Sequence, residues 1–142
     1  MTNSVKIKDK IGKFNRVLSV SGDKSLSIRW VLFSSLASGL SKANNLLMSD
    51  DVLAAIKSIR KFGIKSKIDK KECKIYGKGF EGYNYKKNII INAENSGTLG
   101  RLILGLLIDS PYPIKLIGDN SLSKRDFTRV SKPLSKFGAR FK

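Results

Sequence analysis

Apolar residues recur at helical spacing in four stretches of this chain, with shorter apolar runs between them. The first stretch is apolar on almost every side, which is typical of a buried helix. The second carries acids in its first turn, where the helix dipole favours negative charge. Glycines at or just beyond the ends of the first, second and fourth stretches mark helix ends. The predicted helices span residues 26–37, 49–62, 99–108 and 121–138.

Seven short runs have the composition of strands. A polar turn at residues 69–72 joins two of them, which predicts a β-hairpin. A loop with glycine and tyrosine, residues 77–87, separates this hairpin from the next strand. The predicted strands span residues 5–7, 14–20, 43–47, 65–68, 73–76, 88–92 and 114–117.

The order of these elements repeats within the chain. Residues 23–36 superpose on residues 95–108 with an offset of 72, which places Arg29 on Arg101. We therefore predict an α/β (α+β) chain made of repeated strand–helix–strand–helix–strand–strand units. The first unit, residues 16–87, is complete. The second, residues 88–142, stops after its second helix, so the chain is expected to be a piece of a longer protein.

The composition excludes several chemistries. The chain has no histidine and one cysteine, Cys73, so a Ser-His-Asp triad, a histidine metal site and an internal disulfide are impossible. The first ten residues contain no apolar leader, and no apolar run is long enough to span a bilayer, so we expect a cytoplasmic protein with no membrane segment.

The charge is strongly positive, with 28 lysines and arginines against 11 acids and a net charge of +17. Two interpretations of this excess stay open. One is a nucleic-acid-binding surface, and the other is a set of sites for small anions on a lysine-rich surface. The lysines are scattered along the chain and do not form one block.

Two polar turns precede the apolar helices and carry the candidate chemistry. In the first, Asp23 or Ser25 can cap the helix, and Lys24 and Arg29 place positive charge at its start. Free N–H groups at a helix N-terminus favour an anion, and a fold tolerates cations there more readily when an anionic ligand is present. Structural roles are the simpler alternative, with Ser25 as a plain N-cap.

The second turn resembles the first but matches it less closely. Gly97 and Arg101 are four residues apart and share a helix face, and Arg125 lies in a third basic group at the start of the fourth helix. Thr98 could be a plain N-cap, and Asp50 and Asp51 are predicted to cap the second helix and not to act as acid or base.

Four motifs, taken together, resemble those of a known family. They are residues 22–29, Gly-Asp-Lys-Ser-Leu-Ser-Ile-Arg; residues 45–51, Asn-Leu-Leu-Met-Ser-Asp-Asp; residues 95–98 with Arg101; and Gly118-Asp119 followed by residues 121–125. In this order and spacing they are similar to those of the enolpyruvyl transferases, and most closely to the 5-enolpyruvylshikimate-3-phosphate synthases. The resemblance covers nearly the whole chain from residue 16 onward.

The resemblance implies a fold and a reaction. Family members have two lobes, each built from three βαβαββ units, so this chain would supply about two units of one lobe, and residues 1–15 would belong to the other lobe. The 5-hydroxyl of shikimate 3-phosphate adds to C2 of phosphoenolpyruvate, and the tetrahedral intermediate then loses phosphate. No metal or organic cofactor is implied. We expect a monomer at full length, with small anionic substrates and neither membrane nor nucleic acid as partner.

The resemblance also assigns residues. Lys24 looks like a contact to both substrates, and Ser25 and Arg29 look like shikimate 3-phosphate contacts. A second set resembles the phosphoenolpyruvate side of the family's site: Asn95, Gly97, Thr98, Arg101 and Arg125. No residue of this chain matches a catalytic acid or base, so we expect the 142-residue chain to be inactive alone.

The sequence departs from the family's pattern at Ile28, Gly100, Leu102 and Asp126, which affects the packing of the helix starts and leaves the charged positions intact. A related alternative is a UDP-N-acetylglucosamine enolpyruvyl transferase. That family places Lys-Asn at the first motif and a reactive cysteine on a loop, whereas here Ser25 follows Lys24 and Cys73 lies in a predicted strand.

Overall fold

The computed structural model describes residues 4–10, 12–69 and 72–142, and these residues form both helices and strands. The elements are α1 (Lys24–Leu36), β1 (Ser38–Asn44), α2 (Asp50–Lys61), β2 (Lys65–Ile68), β3 (Glu72–Lys78), β4 (Ile90–Asn92), α3 (Gly97–Leu106), β5 (Lys115–Ile117) and α4 (Thr128–Lys136). The mixed α/β class predicted from the sequence is confirmed.

The strands form two small sheets. In the first, of order β1-β3-β2, β3 pairs antiparallel with both neighbours, and its register with β1 runs from Ser38↔Lys78 to Asn44↔Glu72. The predicted hairpin is therefore confirmed, although Lys70 and Lys71 of its turn lie outside the described residues. In the second sheet, β4 and β5 pair in parallel, with α3 as the connection between them.

The core lies between α1, α2, β3 and α3. Phe62, at the end of α2, stacks on Tyr83 with ring centroids 5.1 Å apart, and Tyr85 meets both rings edge-on. Asn84 N donates to the carbonyl of Phe62 at 3.0 Å, which fixes the loop before β4 against α2. The largest fully buried side chains are Phe62, Ile28, Leu32, Ile56, Ile59, Ile64, Ile75, Ile91, Leu99, Ile103, Val31 and Val52.

The prediction that the first helix is buried on almost every side is wrong. Leu26 and Phe33 are 64% and 62% exposed, whereas Ser27, Ser34 and Ser35 are buried. A serine can face the core because its hydroxyl finds a partner there, and Ser35 Oγ lies 2.5 Å from the carbonyl oxygen of Leu32 and 2.6 Å from the Tyr83 hydroxyl. Periodicity alone does not anticipate polar residues on the buried face.

The predicted strands at residues 5–7 and 14–20 are also wrong. No strand forms in the described residues before α1, and the side chains there are exposed. A strand needs a neighbour for its N–H and C=O groups, and none of the described strands pairs with this segment. The segment is hydrogen-bonded at its end, where Asn45 Nδ2 donates to the Val20 carbonyl at 3.1 Å.

Two further element boundaries differ from the predictions. The strand expected at residues 43–47 is Ser38–Asn44, because Asn45 adopts a φ of 60° that ends it. The helix expected over residues 121–138 is instead a 3₁₀ turn, Leu122–Lys124, followed by α4. Arg125 is extended between them, and Asp126 Oδ1 accepts from Thr128 N at 2.7 Å to start the new helix. No helix in the described part of the chain has the length and apolar content to cross a bilayer.

Candidate functional site

The start of α1 is built around a close approach of two backbone segments. Asp23 caps the helix by accepting from Leu26 N at 2.7 Å, so Asp23 and not Ser25 is the N-cap. A Cβ on Gly22 would lie 2.8 Å from Leu47 N and closer still to the carbonyl oxygen of Asn45. Only glycine therefore lets the segment after β1 rest on this turn.

A serine hydroxyl completes the same junction. Ser27 Oγ donates to the Asp23 carbonyl at 2.7 Å and accepts from Leu47 N at 3.0 Å. The first turn of α1 is thus hydrogen-bonded to the segment that leads into α2.

That junction brings together two charged residues from different helix starts. Lys24 Nζ lies 3.0 Å from Asp51 Oδ2, where the side chains are 52% and 16% exposed. Asp51 lies in the first turn of α2, after the N-cap residue Ser49. The prediction that Asp50 and Asp51 cap α2 is wrong, because Ser49 is the N-cap. It also missed the ion pair, because nothing in the local pattern indicates a partner 27 residues away.

Ser25 and Arg29 lie on the same helix and remain available to a ligand. Ser25 is half-buried and Arg29 is exposed. Among the described residues, neither side chain has a hydrogen bond or an ion pair. The α1 end, defined here as Lys24, Ser25 and Arg29, therefore presents two cations and a hydroxyl over two helical turns.

The start of α3 has two guanidinium groups beside a glycine. Ser96, not Thr98, caps this helix by accepting from Leu99 N at 3.2 Å. A Cβ on Gly97 would lie 2.7 Å from Arg125 Nη1 and 3.0 Å from Arg101 Nη1. We call Asn95, Gly97, Thr98, Arg101 and Arg125 the α3 end.

Arg101 is held by the two residues that precede α4. Its Nη2 donates to the Asp126 carbonyl at 3.1 Å, and its guanidinium lies 5.4 Å from the centre of the Phe127 ring. Its Nε is buried without a hydrogen-bond partner. A Cβ on Gly100 would lie 3.2 Å from Phe127 Cζ, so the unusual Gly100 makes room for the ring that supports Arg101.

Arg125 is held by a chain of polar side chains. Its Nη2 donates to Asn95 Oδ1 at 3.0 Å, and Asn95 Nδ2 donates to Asp119 Oδ2 at 2.6 Å. Hydrogen bonds from Leu122 N and from the Asn95 amide lower the pKa of Asp119. Asp119 belongs to the fourth motif, but the sequence alone indicates no role for it, because its partner Asn95 is 24 residues away.

The charges at the two ends suit an anion. Within residues 4–10, 12–69 and 72–142 the ion pairs are Lys24–Asp51 and Lys74–Glu72, so the guanidinium groups at the α3 end have no direct carboxylate partner. Arg side chains at a helix N-terminus offer paired N–H donors to phosphate or carboxylate. No hydrogen bond between described residues joins the α1 end to the α3 end, although the two helices pack together.

Two surface depressions formed by described residues lie away from both ends. One of about 330 Å³ is lined by residues of β1, β3 and the segment after β1, and it contains none of the predicted site residues.

Comparison with known proteins places this chain in a family. The family model of EPSP synthase (3-phosphoshikimate 1-carboxyvinyltransferase) matches residues 8–142. The 3-phosphoshikimate 1-carboxyvinyltransferases of Streptococcus agalactiae serotype Ia and Bacillus cytotoxicus are 41% and 39% identical to it, over 87% and 88% of this chain and 29% of each relative.

Solved structures agree. EPSP synthase from Acinetobacter baumannii matches with a TM-score of 0.80 and 35% identity, over 87% of this chain and 28% of that structure. The chain thus spans less than a third of the length of these relatives. The resemblance seen in the four motifs is confirmed, and this chain belongs to the EPSP synthase (3-phosphoshikimate 1-carboxyvinyltransferase) family.

Proposed function

We propose that this chain supplies part of the substrate-binding surface of an enzyme that transfers the enolpyruvyl group of phosphoenolpyruvate to the 5-hydroxyl of shikimate 3-phosphate. The observation that carries the proposal is the pair of guanidinium groups, Arg101 and Arg125, that flank Gly97 at the start of α3 without a direct carboxylate partner. Both substrates are polyanions, and family membership identifies which anions to test.

The α1 end is assigned to shikimate 3-phosphate. Arg29 and Ser25 have unoccupied hydrogen-bonding groups, and Lys24 adds a cation at the helix start. A phosphate placed there would also offset the unfavourable interaction between these cations and the positive end of the helix dipole. Lys24, at the first residue of α1, is the group assigned to both substrates.

The α3 end is assigned to phosphoenolpyruvate. Arg125 would hold its negative groups, Arg101 would support the turn, and Asn95 and Thr98 line the same turn. Because Gly97 carries no side chain, a small ligand can approach the backbone N–H groups of the first turn. A larger residue would occupy the space between the two guanidinium groups.

The proton transfers must come from outside this chain. Addition of the 5-hydroxyl to C2 requires removal of the hydroxyl proton and protonation of C3, and loss of phosphate requires a proton to leave C3 again. The carboxylates next to the α3 end, Asp119 and Asp126, have lowered pKa values and are poor general acids near neutral pH. The 142-residue chain is therefore expected to bind substrate without turnover.

A chimera tests the proposal. Residues 1–142 replace the matched N-terminal part of the Streptococcus agalactiae relative, and the product is assayed for phosphate release from the two substrates together. Turnover in which Arg29→Ala raises the KM for shikimate 3-phosphate and Arg125→Ala raises the KM for phosphoenolpyruvate supports the assignment. A folded chimera without turnover, while the parent relative is active, contradicts it.

Titration of the 142-residue chain distinguishes the enzyme assignment from the alternative, a nucleic-acid-binding module. Saturable binding of shikimate 3-phosphate, lost in Lys24→Ala or Arg29→Ala, supports the enzyme assignment. Tight DNA binding that weakens steeply with salt and is unaffected by those substitutions supports a nucleic-acid-binding module.

A further inference from the structure

Asp119 is bonded at both of its carboxylate oxygens. Oδ1 accepts from Leu122 N at 2.7 Å and Oδ2 accepts from Asn95 Nδ2 at 2.6 Å, while its backbone N donates to the Glu94 carbonyl at 2.9 Å. The residue therefore joins the loop after β5 to the turn that begins α3.

This contact fixes which way the Asn95 amide points. An asparagine side chain has one acceptor side and one donor side, and the carboxylate of Asp119 accepts only from the donor side. The acceptor, Oδ1, is then directed to Arg125 Nη2, 3.0 Å away. If the amide turned over, its N–H groups would face the guanidinium N–H groups and the hydrogen bond to Arg125 would be lost.

Arg125 has little else to hold it. Its other side-chain hydrogen bond among the described residues is to Ser121 Oγ at 3.4 Å, and its side chain is exposed. The charge of Asp119 also attracts it without a direct ion pair. Its Nη1 is nonetheless the atom closest to the space beside Gly97. The orientation of that guanidinium therefore depends chiefly on the Asn95 amide.

We propose that Asp119 is a positioning residue for the phosphoenolpyruvate side of the site, acting through Asn95 on Arg125 without touching substrate itself. This inference rests on the function proposed above. It assigns a role to a carboxylate that the motif comparison left without one. A competing explanation is that Asp119 only caps the 3₁₀ turn through Leu122 N.

Asp119→Asn separates the two roles. Asparagine is as good a cap as aspartate, so the bond from Leu122 N can be kept. Its remaining amide N–H group would then face the N–H group of Asn95, and the link to Arg125 would be broken. Asp119→Ser is the second variant, because serine also caps but cannot reach Asn95.

In the chimera, both variants should raise the KM for phosphoenolpyruvate roughly fivefold or more, with the KM for shikimate 3-phosphate changed by less than about twofold. In an Arg125→Ala background, Asp119→Asn should have no further effect, because the group through which it acts is absent. Glu94→Gln is the matched control, since it removes the same charge next to Asn95, while among the described residues the Glu94 carboxylate is hydrogen-bonded only to Asn92.

The inference would be overturned if both variants left the KM for phosphoenolpyruvate unchanged, or raised the KM values for both substrates equally. Full additivity of Asp119→Asn with Arg125→Ala would overturn it as well.

A second measurement does not depend on turnover. In the 142-residue chain, NMR of the Arg125 guanidinium should show faster side-chain motion in Asp119→Asn than in the parent chain, and unchanged motion would also count against the positioning role. An inactive parent chimera with this NMR change would contradict the proposed function and leave the positioning role supported.

Discussion

Lys24 and Asp51 form an ion pair of 3.0 Å between the first turns of two helices, α1 and α2. Lys24 is also the residue assigned to both substrates, so one ammonium group serves the fold and the proposed site. The two contributions differ in size. A half-exposed ion pair contributes little to stability, whereas a cation that meets an anionic ligand can contribute much more to binding.

Lys24→Met separates these contributions. We expect the free energy of unfolding to fall by about 1 kcal/mol or less, and the affinity of the chain for shikimate 3-phosphate to fall by about tenfold or more. Chemical denaturation and calorimetric titration measure the two quantities. Lys57→Met, on the exposed face of α2, removes the same charge and should change neither. A stability loss several times larger, with binding intact, would show that the ion pair is purely structural.

Gly97→Ala should affect binding more than folding. The new methyl group would lie 2.7 Å from Arg125 Nη1 and 3.0 Å from Arg101 Nη1, and both are the ends of flexible side chains that can move away. We expect the KM of the chimera for phosphoenolpyruvate to rise, with little change in the thermal midpoint.

Gly105→Ala is the control for the Gly97 substitution, because it lies in the same helix with nothing within 4 Å of the new Cβ. It should stabilise the chain by about 0.5–1 kcal/mol through the higher helix propensity of alanine, without changing either KM. If Gly105→Ala raised the KM for phosphoenolpyruvate as much as Gly97→Ala did, the space between the two arginines would not be the cause.

Gly22→Ala should be strongly destabilising. Its Cβ would meet backbone atoms of residues 45–47, which cannot move aside without separating this segment from α1. We expect a loss of about 1–3 kcal/mol, typical of overpacking, measured by denaturant unfolding. Gly12→Ala, where a Cβ meets nothing within 4 Å, should be close to neutral. Equal effects of the two substitutions would contradict the close packing at Gly22.

Acid should weaken the fold through Asp126. Hydrogen bonds from the Thr128 hydroxyl and from Thr128 N lower its pKa below the ordinary value of 3.8. The carboxyl of Asp126 therefore has a lower pKa in the folded chain than in the unfolded chain. Its ionised form stabilises the fold at pH values above the unfolded-state pKa, and this stabilisation is lost as the pH falls through the folded-state pKa.

The difference in unfolding free energy between the parent chain and Asp126→Asn should therefore be largest at neutral pH and shrink below about pH 4. Thermal unfolding followed over a pH series measures it. Asp109→Asn, whose carboxylate has no hydrogen bond among the described residues, should show a smaller change over the same range. A difference that stayed constant to low pH would exclude this contribution from Asp126.

The helices could be predicted from the sequence because a helix closes its hydrogen bonds within one segment. The cap of α1 at Asp23 and the glycine after α2 are local signals of the same kind. The hairpin of β2 and β3 was predictable because its strands are close in sequence. The segment at residues 14–20 was not, because its strand-like composition requires a partner strand that composition does not supply.

In the candidate site, too, local features could be predicted and contacts between distant residues could not. The candidate cations could be identified from motif and charge: Lys24 is the first residue of α1, Arg101 is the fifth residue of α3, and Arg125 follows the 3₁₀ turn. Their partners Asp51 and Asp119 could not, since each contact joins residues more than 20 positions apart. The family motif contained both acids, but only the folded chain shows which cation or amide each one meets.

Because two arginines lie beside Gly97, we expect anion binding at the proposed α3 end to be a displacement reaction. Two like charges held close together attract a mobile counter-ion, whose identity is set by the buffer and whose hold on the site weakens as ionic strength rises. An incoming anionic ligand must expel that ion, so its apparent affinity is the difference between two anions' affinities. The same chain would then give different dissociation constants in phosphate and in chloride, and the ratio between them would measure how selective the arginine pair is.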